Sequence, residues 1–392
     1  MKIGIVLSGI PKYSETFFHY KIKGLSEAGF EVKIFTGDKR QKEFPYKQYP
    51  AYPVLSGKPL RQFFLTLIIL IKTLFIAPKR FLRLYSGEMK DGKSIGEILK
   101  TIYINAHIIT HELDWLHFGF AATAIRRELA AGVMGAKMGV SFRGYDINIY
   151  PLKNPGCYDR LWKNVDKVHT ISEYLFQKAV SMGLNSKTPH EKITPAIEPD
   201  KFKIRNSDGS LGNRIHILTV GRLNWIKDYE TAIETMKILK SKGISFDYNI
   251  IGSGSELERL KFAVYQSGLE NEVNFFGIKS HEEVRVLMMN TDIYLQTSMQ
   301  EGFCVSVLEA QAAGLPCIVS DADGLRENVI DNFTGWIVKK RRPDLFAKKI
   351  IEVIKMSNEE RLEIMNNARA RAEKDFSIKL QNEKFRNFFL QI

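Results

Sequence analysis

Short apolar runs alternate with amphipathic segments along nearly the whole chain. The first run, Lys2 to Leu7, is followed by a polar turn, a helical pattern from about Glu15 to Ala28 and a second run at Glu31–Phe35. Strands that alternate with helices in this way are typical of α/β proteins with parallel sheets. Further along, the small-residue segment from Ala121 to Ala131 predicts another helix, closed by Gly132.

The alternation occurs twice along the chain. A polar stretch rich in Gly, Ser and Asn, Lys203 to Arg214, is the best candidate for a linker. After it, the apolar run "IHILTVGR" opens a second series of strands and helices that is not a copy of the first. Ligands of such sheets bind outside the carboxyl ends of the strands, so we expect functional residues in the loops that follow strands.

Composition and charge narrow the class of protein. The 392 residues contain 57 Lys and Arg against 44 Asp and Glu, a net charge of +13. Residues 1–100 hold 18 Lys and Arg and 8 Asp and Glu, so 18 − 8 = +10 lies in the first quarter. A basic N-terminal part could meet nucleic acid, anionic lipid or a phosphorylated substrate, or could serve solubility alone.

The cysteines and the N-terminal run indicate the cellular compartment in which the protein is expected. Cys157, Cys304 and Cys317 are odd in number and widely spaced, which argues against a disulfide framework or a zinc site and suits a reducing cytoplasm. The apolar run at the N-terminus is too short for a signal peptide and predicts a first strand.

One segment, Leu60 to Arg80, is unusually apolar. Its run from Phe63 to Ile71 is interrupted by Lys72, and we expect it to be too short to cross a bilayer, which needs ~20 apolar residues. Basic residues lie around and within it. Either the helix lies in a membrane interface, or it packs on the domain core.

The segment "VGRLNWIKDYETA" places two cations between a strand end and a helix start. The strand ends in Gly221, Arg222 and Lys227 follow, and Asp228 is a plausible helix cap. Such a position favours phosphate, and two cations there can hold a diphosphate. The alternative is ordinary surface charge on a loop.

The segment "QEGFCVSVLEAQAAGLPC" places two glutamates around the start of a short apolar helix. Glu301 precedes the helix, whose first backbone N–H groups, from Gly302, Phe303 and Cys304, form an anion site. Glu309 lies inside the apolar helix, where an unpaired carboxylate is costly and needs donors. Ribose hydroxyls or backbone N–H groups could supply them; a structural salt bridge is the alternative.

Two further motifs carry weaker signals. Gly252 and Gly254 follow a strand but lack the third glycine of the dinucleotide fingerprint, so they more plausibly serve a tight turn near a nucleotide. Asp321 and Asp323 imitate an Asp-x-Asp metal motif, but in the wrong architecture. No metal site is expected.

In the first half, three loops follow strands and carry polar residues. They place Ser14 after the first strand, His117 at the end of "DWLHF" and Arg143 with Asp146 in "SFRGYD". Any one of these residues taken alone is better explained as structural. Together, at one sheet edge, they predict the wall of a cleft.

These segments, in this order, resemble the family-4 retaining glycosyltransferases of GT-B architecture. The resemblance rests on "VGRLNWIKDYETA", "IIGSGSELERL", "VNFFGIKS" and "DIYLQTSMQEGFCVSVLEAQAAGLPCIVSDADG", and covers nearly all the second half. "PKYSETFF", "LHFGF" and "SFRGYDI" look like the subgroup that builds bacterial surface polysaccharides such as colanic acid and lipopolysaccharide.

The resemblance implies two Rossmann-like α/β domains facing across a cleft. It implies an acceptor domain over residues 1–205, a donor domain over 206–375, and a last helix, about 376–392, that packs back on the first domain. A nucleotide-diphospho-sugar would be the co-substrate, with no cofactor and no metal. The basic N-terminal quarter and the Leu60–Arg80 helix favour a membrane-borne acceptor, a growing cell-surface glycan on a carrier such as a polyprenyl diphosphate. Nucleic acid is not an expected partner.

The resemblance also implies roles for single residues. Arg222 and Lys227 would bind the donor diphosphate, Glu301 the donor sugar and Glu309 the ribose. The remaining donor-site positions are Gly302 and Phe303, through their backbone amides, and the region from Gly277, near the base. The implied mechanism is a front-face one, in which the leaving diphosphate helps to deprotonate the acceptor.

One position departs from the family pattern. Many relatives have a histidine where this chain has Arg143, and arginine cannot act as a base at neutral pH. Arg143 could instead bind the donor phosphate or an anionic acceptor, and His117 is the other candidate near the reacting centre. We expect a cytoplasmic enzyme, peripheral on the inner face of an anionic membrane. The rival functions are a nucleotide-sugar epimerase and a non-enzymatic membrane-associated binding protein.

Overall fold

A computed structural model of the chain describes residues 1–11, 16–37, 44–204 and 208–391 and divides it into two compact units. The first unit comprises Met1–Ile193 and Asn382–Ile392, and the second comprises Thr194–Gln381. The sequence placed the boundary near residue 205. Residues 194–204 lie instead in the second unit, where Ile197 donates its N–H to the Phe376 carbonyl and Arg369 donates to the carbonyl of Phe202.

The first unit is built around a seven-stranded parallel sheet of order β3-β2-β1-β4-β5-β6-β7. Its strands are β1 (Lys2–Leu7), β2 (Glu31–Thr36), β3 (Gln48–Pro50), β4 (Trp115–Phe118), β5 (Lys137–Phe142), β6 (Lys167–Thr170) and β7 (His190–Lys192). Its helices are α1 (Thr16–Glu27), α2 (Pro59–Ile76), α3 (Pro78–Lys90), α4 (Ile95–Ile109), α5 (Ala121–Ala124), α6 (Ala130–Met134), α7 (Gly144–Asn148), α8 (Tyr150–Lys153), α9 (Asp159–Trp162) and α10 (Glu173–Ser181).

The second unit has a six-stranded parallel sheet of order β10-β9-β8-β11-β12-β13. Its strands are β8 (Ile215–Val220), β9 (Phe246–Ile251), β10 (Val273–Gly277), β11 (Ile293–Gln296), β12 (Cys317–Ser320) and β13 (Trp336–Val338). Its helices are α11 (Tyr229–Ser241), α12 (Leu257–Gln266), α13 (His281–Met289), α14 (Val305–Ala312), α15 (Leu325–Asn328), α16 (Pro343–Lys355) and α17 (Asn358–Asp375). A last helix, α18 (Ile378–Leu390), starts in this unit and ends in the first.

Both sheets have cores that follow the apolar pattern of the sequence. In the first unit β1 is almost wholly buried, and the end of α18 adds Phe385, Phe388 and Phe389 to the same core. Trp115 of β4 packs edge-on against Phe389, with ring centroids 5.5 Å apart. The predicted α/β class with two parallel sheets is confirmed.

The helix expected from Ala121 to Ala131 is wrong in its extent. Two short helices, α5 and α6, occupy this region, and Arg126 between them has a positive φ of 64° that a continuous helix cannot contain. The closing glycine is Gly135 (φ 74°), because Gly132 lies inside α6 and its φ is not positive.

Helix α2 is the outlier of the first unit. It continues past Lys72 to Ile76, so by length and composition alone it is sufficient to cross a membrane, and the expectation that this segment is too short to do so is not met. One helix of this kind is weak evidence for a span. Only 17% of it is buried, so it is not a core helix either.

Candidate functional site

The strand order of the second sheet reverses between β8 and β11, which are neighbours although β9 and β10 separate them in sequence. Parallel sheets leave a crevice outside the carboxyl ends of the strands at such a reversal. Arg222 follows β8 at this edge, and Ser298 and Glu301 follow β11. The serine at the start of α14 fixes that helix beside β8, because Ser306 Oγ donates to the Val220 carbonyl at 3.0 Å.

The central feature of the crevice is an ion pair between Lys227 and Glu301. Lys227 ends a short 3-10 turn, Trp225–Lys227, and its Nζ donates to Glu301 Oε1. The same oxygen accepts a hydrogen bond from Ser298 Oγ at 3.0 Å. The side chains of Lys227 and Glu301 are only 15% and 12% exposed, so the pair is shielded yet reachable from solvent.

Lys227 stays cationic in this position. Burial alone lowers the pKa of its amine, but at the high pH where the amine titrates the Cys304 thiolate and the Glu301 carboxylate outweigh burial, and the pKa is raised. Asp228, the next residue, adopts a left-handed conformation (φ 49°) and its carboxylate caps α11 by accepting from Thr231. The turn therefore holds the amine at a fixed place beside the helix start.

The glycines after β9 allow two loops to pack backbone against backbone. A Cβ on Gly252 would lie 1.9 Å from the Gly221 carbonyl oxygen, and one on Gly254 would lie 2.2 Å from that of Leu223. The Leu223 N–H also donates to the Ser253 carbonyl at 2.9 Å. This contact supports the loop that carries Arg222, whose side chain is exposed at the crevice.

The start of α14 offers fewer amides than the sequence predicts. The N–H of Cys304 donates to Asn328 Oδ1 at 2.9 Å, and Asn328 Nδ2 donates back to the Cys304 carbonyl at 3.0 Å. Cys304 is therefore already paired. In the part of the chain that the structure describes, no acceptor is found for the amides of Gly302 and Phe303. The Phe303 ring is buried against Phe376, so only its backbone can meet a ligand.

Glu309 lies in the second turn of α14 and is partly buried. Burial raises the pKa of its carboxyl to about 7, while the charge of Arg285 on α13 opposes that shift. Among the described residues Glu309 forms no ion pair, so the alternative of a structural salt bridge finds no support there. A half-buried carboxylate without an ion-pair contact is what a ligand with hydroxyl donors would satisfy.

Gly277 closes β10 at the same edge of the sheet. Its φ of 67° lies in the left-handed region, and its carbonyl accepts from the Gly252 N–H at 2.8 Å. The loop between β10 and α13 therefore leaves the sheet next to the glycine turn after β9. The structure thus brings Arg222, Lys227, Glu301, Gly302 and Gly277 to strand ends of one sheet.

The candidates in the first unit have a different setting. His117 has no exposed surface, and its Nε2 lies 2.8 Å from both Lys21 Nζ and Ser141 Oγ. Its ring also packs edge-on against Phe388 and Phe389. Burial holds the pKa of His117 well below its usual range, so the ring is neutral. The expected place at an open strand end is wrong, because this side chain points into the core.

Asp146 also has a structural task. It is 2% exposed and accepts hydrogen bonds from the N–H groups of Ala121 at 2.7 Å and Arg143 at 2.8 Å. Burial raises the pKa of its carboxyl to about 7, against the effect of those two N–H groups. It joins the loops after β4 and β5 and does not line an open surface, which corrects the expectation. Ser14 lies outside the described residues.

The Arg143 guanidinium lies over the Phe17 ring at 3.6 Å and near Phe18 at 5.0 Å. Its side chain is 9% exposed. Stacking of this kind helps to hold a guanidinium in place. Arg143 keeps a small accessible surface at the strand ends of the first sheet and remains a candidate ligand for an anion.

Three residues of the second unit were missed in the sequence. Ser298 binds Glu301, and Asn328 pairs with both backbone groups of Cys304. Gly324 donates its N–H to the Glu301 carbonyl at 3.0 Å, and a Cβ there would lie 2.0 Å from the Gly302 carbonyl oxygen. A glycine directly after "DAD" was the one available signal for this close approach.

A separate cavity of about 670 Å³ opens beside α13, lined by Lys201, Lys203, Glu282, Arg285, Val286, Met289 and Asn290. None of the predicted donor residues lines it. The candidate site is therefore defined by strand ends and paired charges and not by cavity size. Within residues 1–11, 16–37, 44–204 and 208–391, no group of three or more His, Cys, Asp or Glu is placed to hold a metal ion.

Comparison with known proteins assigns the second unit. Residues 200–371 match the family model described as "Glycosyl transferases group 1". These residues form a domain of that family. The whole crevice lies inside the matched range, and the prediction that the chain is a glycosyltransferase is confirmed.

Similar proteins extend over nearly the full chain. The amylovoran biosynthesis glycosyltransferase AmsK of Erwinia amylovora is 27% identical and aligns over 96% of each chain. The putative colanic acid biosynthesis glycosyltransferase WcaL of Escherichia coli is 25% identical over 98% of each chain. The structure of Anabaena HepE in complex with UDP covers 100% of both chains with a TM-score of 0.74 at 15% identity, which shows the fold.

Proposed function

We propose that this glycosyltransferase transfers a hexose-type sugar from a nucleotide-diphospho-sugar to a growing cell-surface glycan, with retention of configuration. The observation that carries the proposal is the shielded Lys227–Glu301 pair at the sheet reversal, beside two backbone amides at the start of α14. The similarity to AmsK and WcaL, which are named for the biosynthesis of surface polysaccharides, supports the pathway. UDP in the similar HepE supports a nucleotide donor.

In this proposal each residue of the crevice meets a different part of the donor. Arg222 and Lys227 bind the diphosphate, and the amides of Gly302 and Phe303 add donors at the helix start. Glu301 contacts the sugar, Glu309 accepts from the ribose hydroxyls, and the segment from Gly277 lies near the base. One ligand that spans both glutamates accounts for the spacing between Glu301, which precedes α14, and Glu309, which lies within it.

The charges of the site suit the reaction. Cleavage of the sugar–phosphate bond leaves negative charge on the diphosphate, and preorganised cations and N–H groups stabilise it most in a shielded place. The raised pKa of Lys227 keeps that cation charged at neutral pH. The departing diphosphate takes the proton of the acceptor hydroxyl, and the proposal includes no metal and no cofactor.

We also place the acceptor on the first unit, where Arg143 would bind an anionic group such as a polyprenyl diphosphate. The acceptor is a glycan carried on such a lipid, and the enzyme acts from the cytoplasm at the inner face of the membrane. His117 and Asp146 are not part of the proposed site, because both are buried in structural contacts.

A donor screen tests the proposal. Purified protein is mixed with UDP-, GDP- and ADP-sugars, and thermal unfolding and sugar release are followed. We expect one donor class to raise Tm, since a ligand that binds only the folded state stabilises it. Glu301→Gln should keep the fold and lose nearly all transfer, whereas Glu258→Gln, an exposed control on α12, should not.

Two outcomes would replace the proposal. Epimerised donor in the absence of any acceptor would favour a nucleotide-sugar epimerase. Absence of both donor protection and turnover with every nucleotide sugar would favour a non-enzymatic membrane-associated protein.

A further inference from the structure

The surface formed by α2 and α3 on the first unit exposes apolar side chains that sugar transfer does not explain. Six large apolar residues of α2 are more than half exposed: Leu60, Phe63, Phe64, Ile68, Phe75 and Ile76. Soluble monomers rarely expose contiguous apolar patches above a few hundred Å², and such patches mark interaction sites.

Helix α2 buries Ile69, Leu70 and Thr73 but, unlike an ordinary amphipathic helix, leaves most of its large apolar side chains exposed. Its packed side includes Gln62, Thr66 and Thr73, whose polar groups are satisfied locally: Gln62 donates to Thr66 at 3.0 Å and Thr73 donates to the carbonyl of Ile69 at 2.7 Å. Its outward side carries Phe64 and Phe75 on one stripe. A helix of a soluble protein normally turns its more apolar face inward.

Cations surround this apolar face without acidic residues. Residues 58–87 contain six Lys and Arg and no Asp or Glu. Five of the six, Lys58, Arg61, Lys72, Lys79 and Arg83, are exposed. The sixth, Arg80, is held inside by hydrogen bonds to the carbonyls of Ile109 and His111. An apolar face with a basic rim complements an anionic lipid surface.

We infer that the α2–α3 surface docks on an anionic lipid bilayer, with α2 lying in the plane of the interface. The packed side of α2 excludes a spanning arrangement, because Ile69 belongs to one cluster with Tyr103 and Ala106 of α4. A second copy of the chain is a poorer occupant, since two basic rims would face each other across such a dimer.

This inference deepens the proposed function, since a lipid-linked acceptor gives the enzyme a reason to be at the membrane. The binding itself requires neither donor nor acceptor. A vesicle assay therefore separates the two proposals: wild type and Glu301→Gln should bind vesicles equally, whether or not sugar transfer is observed.

The apolar arm of the test uses co-flotation with vesicles of phosphatidylcholine that contain about a third phosphatidylglycerol. We expect the wild type to float with them. The variant Phe64→Glu/Ile68→Glu/Phe75→Glu should bind about tenfold less or not at all, because it places charge in the buried face. The matched control, Phe262→Glu/Tyr265→Glu, changes exposed aromatic residues on α12 of the second unit and should float like the wild type.

The charge arm separates electrostatic from apolar attraction. Lys58→Gln/Lys72→Gln/Lys79→Gln should bind the anionic vesicles more weakly, and added salt should weaken the wild type in the same way. The variant Lys261→Gln/Lys374→Gln/Lys379→Gln has the same net charge, with the changes at exposed positions elsewhere, and should behave like the wild type.

Three outcomes would overturn the inference. One is wild-type protein that does not float with anionic vesicles. Another is a control variant that loses as much vesicle binding as the α2–α3 variant with which it is compared. The third is a stable dimer in analytical ultracentrifugation that the α2 variant converts to monomer, since a second copy would then cover this face.

Discussion

The two sheets of this protein share a strand order around their reversal points but use the strand ends differently. In the first unit β1 lies beside β4, and in the second β8 lies beside β11. The first edge is filled by structural contacts, such as those of Asp146 between two loops. The second edge holds an accessible ion pair, Lys227–Glu301. Topology supplies two equivalent strand-end edges, and local side chains decide how much of each stays open to a ligand.

Two lysines, one in each unit, differ in the same way, because their pKa values are shifted in opposite directions. Lys21 is 1% exposed, with His117 and the Phe385 ring as neighbours, and burial holds the pKa of its amine well below the usual range. Lys227 has Glu301 beside it, and its pKa is raised. The first amine lies in a buried network that disfavours its charged form, whereas the second remains a cation for anion binding.

The largest effect is expected when the Lys227 cation of the second unit is removed, which tests whether this sheet edge is the donor site. Lys227→Ala should lower kcat/KM for sugar transfer by about 10³-fold, because the developing charge on the diphosphate loses a preorganised partner. Steady-state kinetics on protein with a normal unfolding transition measures it. Lys261→Ala, an exposed lysine on α12, is the control. Unchanged kinetics in Lys227→Ala would show that the donor diphosphate binds elsewhere.

The support beneath the ion pair is the next target. Gly324→Ala should lower kcat/KM by about 10²-fold. Its Cβ would lie only 2.0 Å from the Gly302 carbonyl oxygen, so the Glu301–Gly302 peptide would have to move. Gly96→Ala in α4 is the control. A Cβ at this position would have no atom within 4 Å, so activity and stability should stay nearly unchanged. Equal kinetics in the two variants would show that this contact does not position the site.

Loss of His117 in the first unit should lower stability and leave the chemistry unchanged. His117→Ala should lower the free energy of unfolding by about 3 kcal/mol, since it leaves a cavity and unpaired polar groups in the core. The kcat of the remaining folded protein should stay near that of the wild type. Denaturant unfolding and kinetics on the same preparation test this, with exposed His19→Ala as control. A stable variant with lost kcat would restore His117 as a catalytic candidate.

Donor affinity should depend on pH through Glu309. Its pKa of about 7 in the free protein means that the carboxylate is mostly protonated at pH 6 and mostly ionised at pH 8. Ribose hydroxyls bind the ionised form, so affinity for the nucleotide sugar should fall up to about tenfold over that drop in pH. Calorimetric titration measures it. Glu309→Gln should bind weakly at both pH values, and a pH-independent wild type would argue against ribose contact.

The smallest expected effect is a pH dependence of stability that has opposite signs for Glu309 in the second unit and for the buried histidines in the first. The pKa of Glu309 is raised, so its contribution to stability falls as pH rises between about 4.3 and 7. The pKa values of His117 and His169 are lowered by burial, so their contribution is present above about pH 6.5 and is lost as pH falls below it. Denaturant unfolding should show Glu309→Gln gaining stability over the wild type as pH rises through that first range.

Much of the second unit was predictable from sequence, because its site residues sit next to strand ends. Gly221, Arg222 and Lys227 follow one apolar run, and Glu301 follows another, so the sheet edge could be deduced from the order of elements. The same reasoning was misleading for His117. Position in a strand does not say whether a side chain faces a loop or a core that a distant helix completes.

The sequence by itself determined the two parallel sheets, the cations and carboxylates of the crevice and the basic apolar segment from Leu60, since these depend on local pattern and composition. Tertiary structure decided which carboxylate is paired, which amides at α14 remain open and which face of α2 is turned outward. Those outcomes depend on contacts between residues far apart in the chain, such as Asn328 with Cys304 and Gly324 with Glu301. Burial and partner distance, which set charge and exposure, exist only once those contacts form.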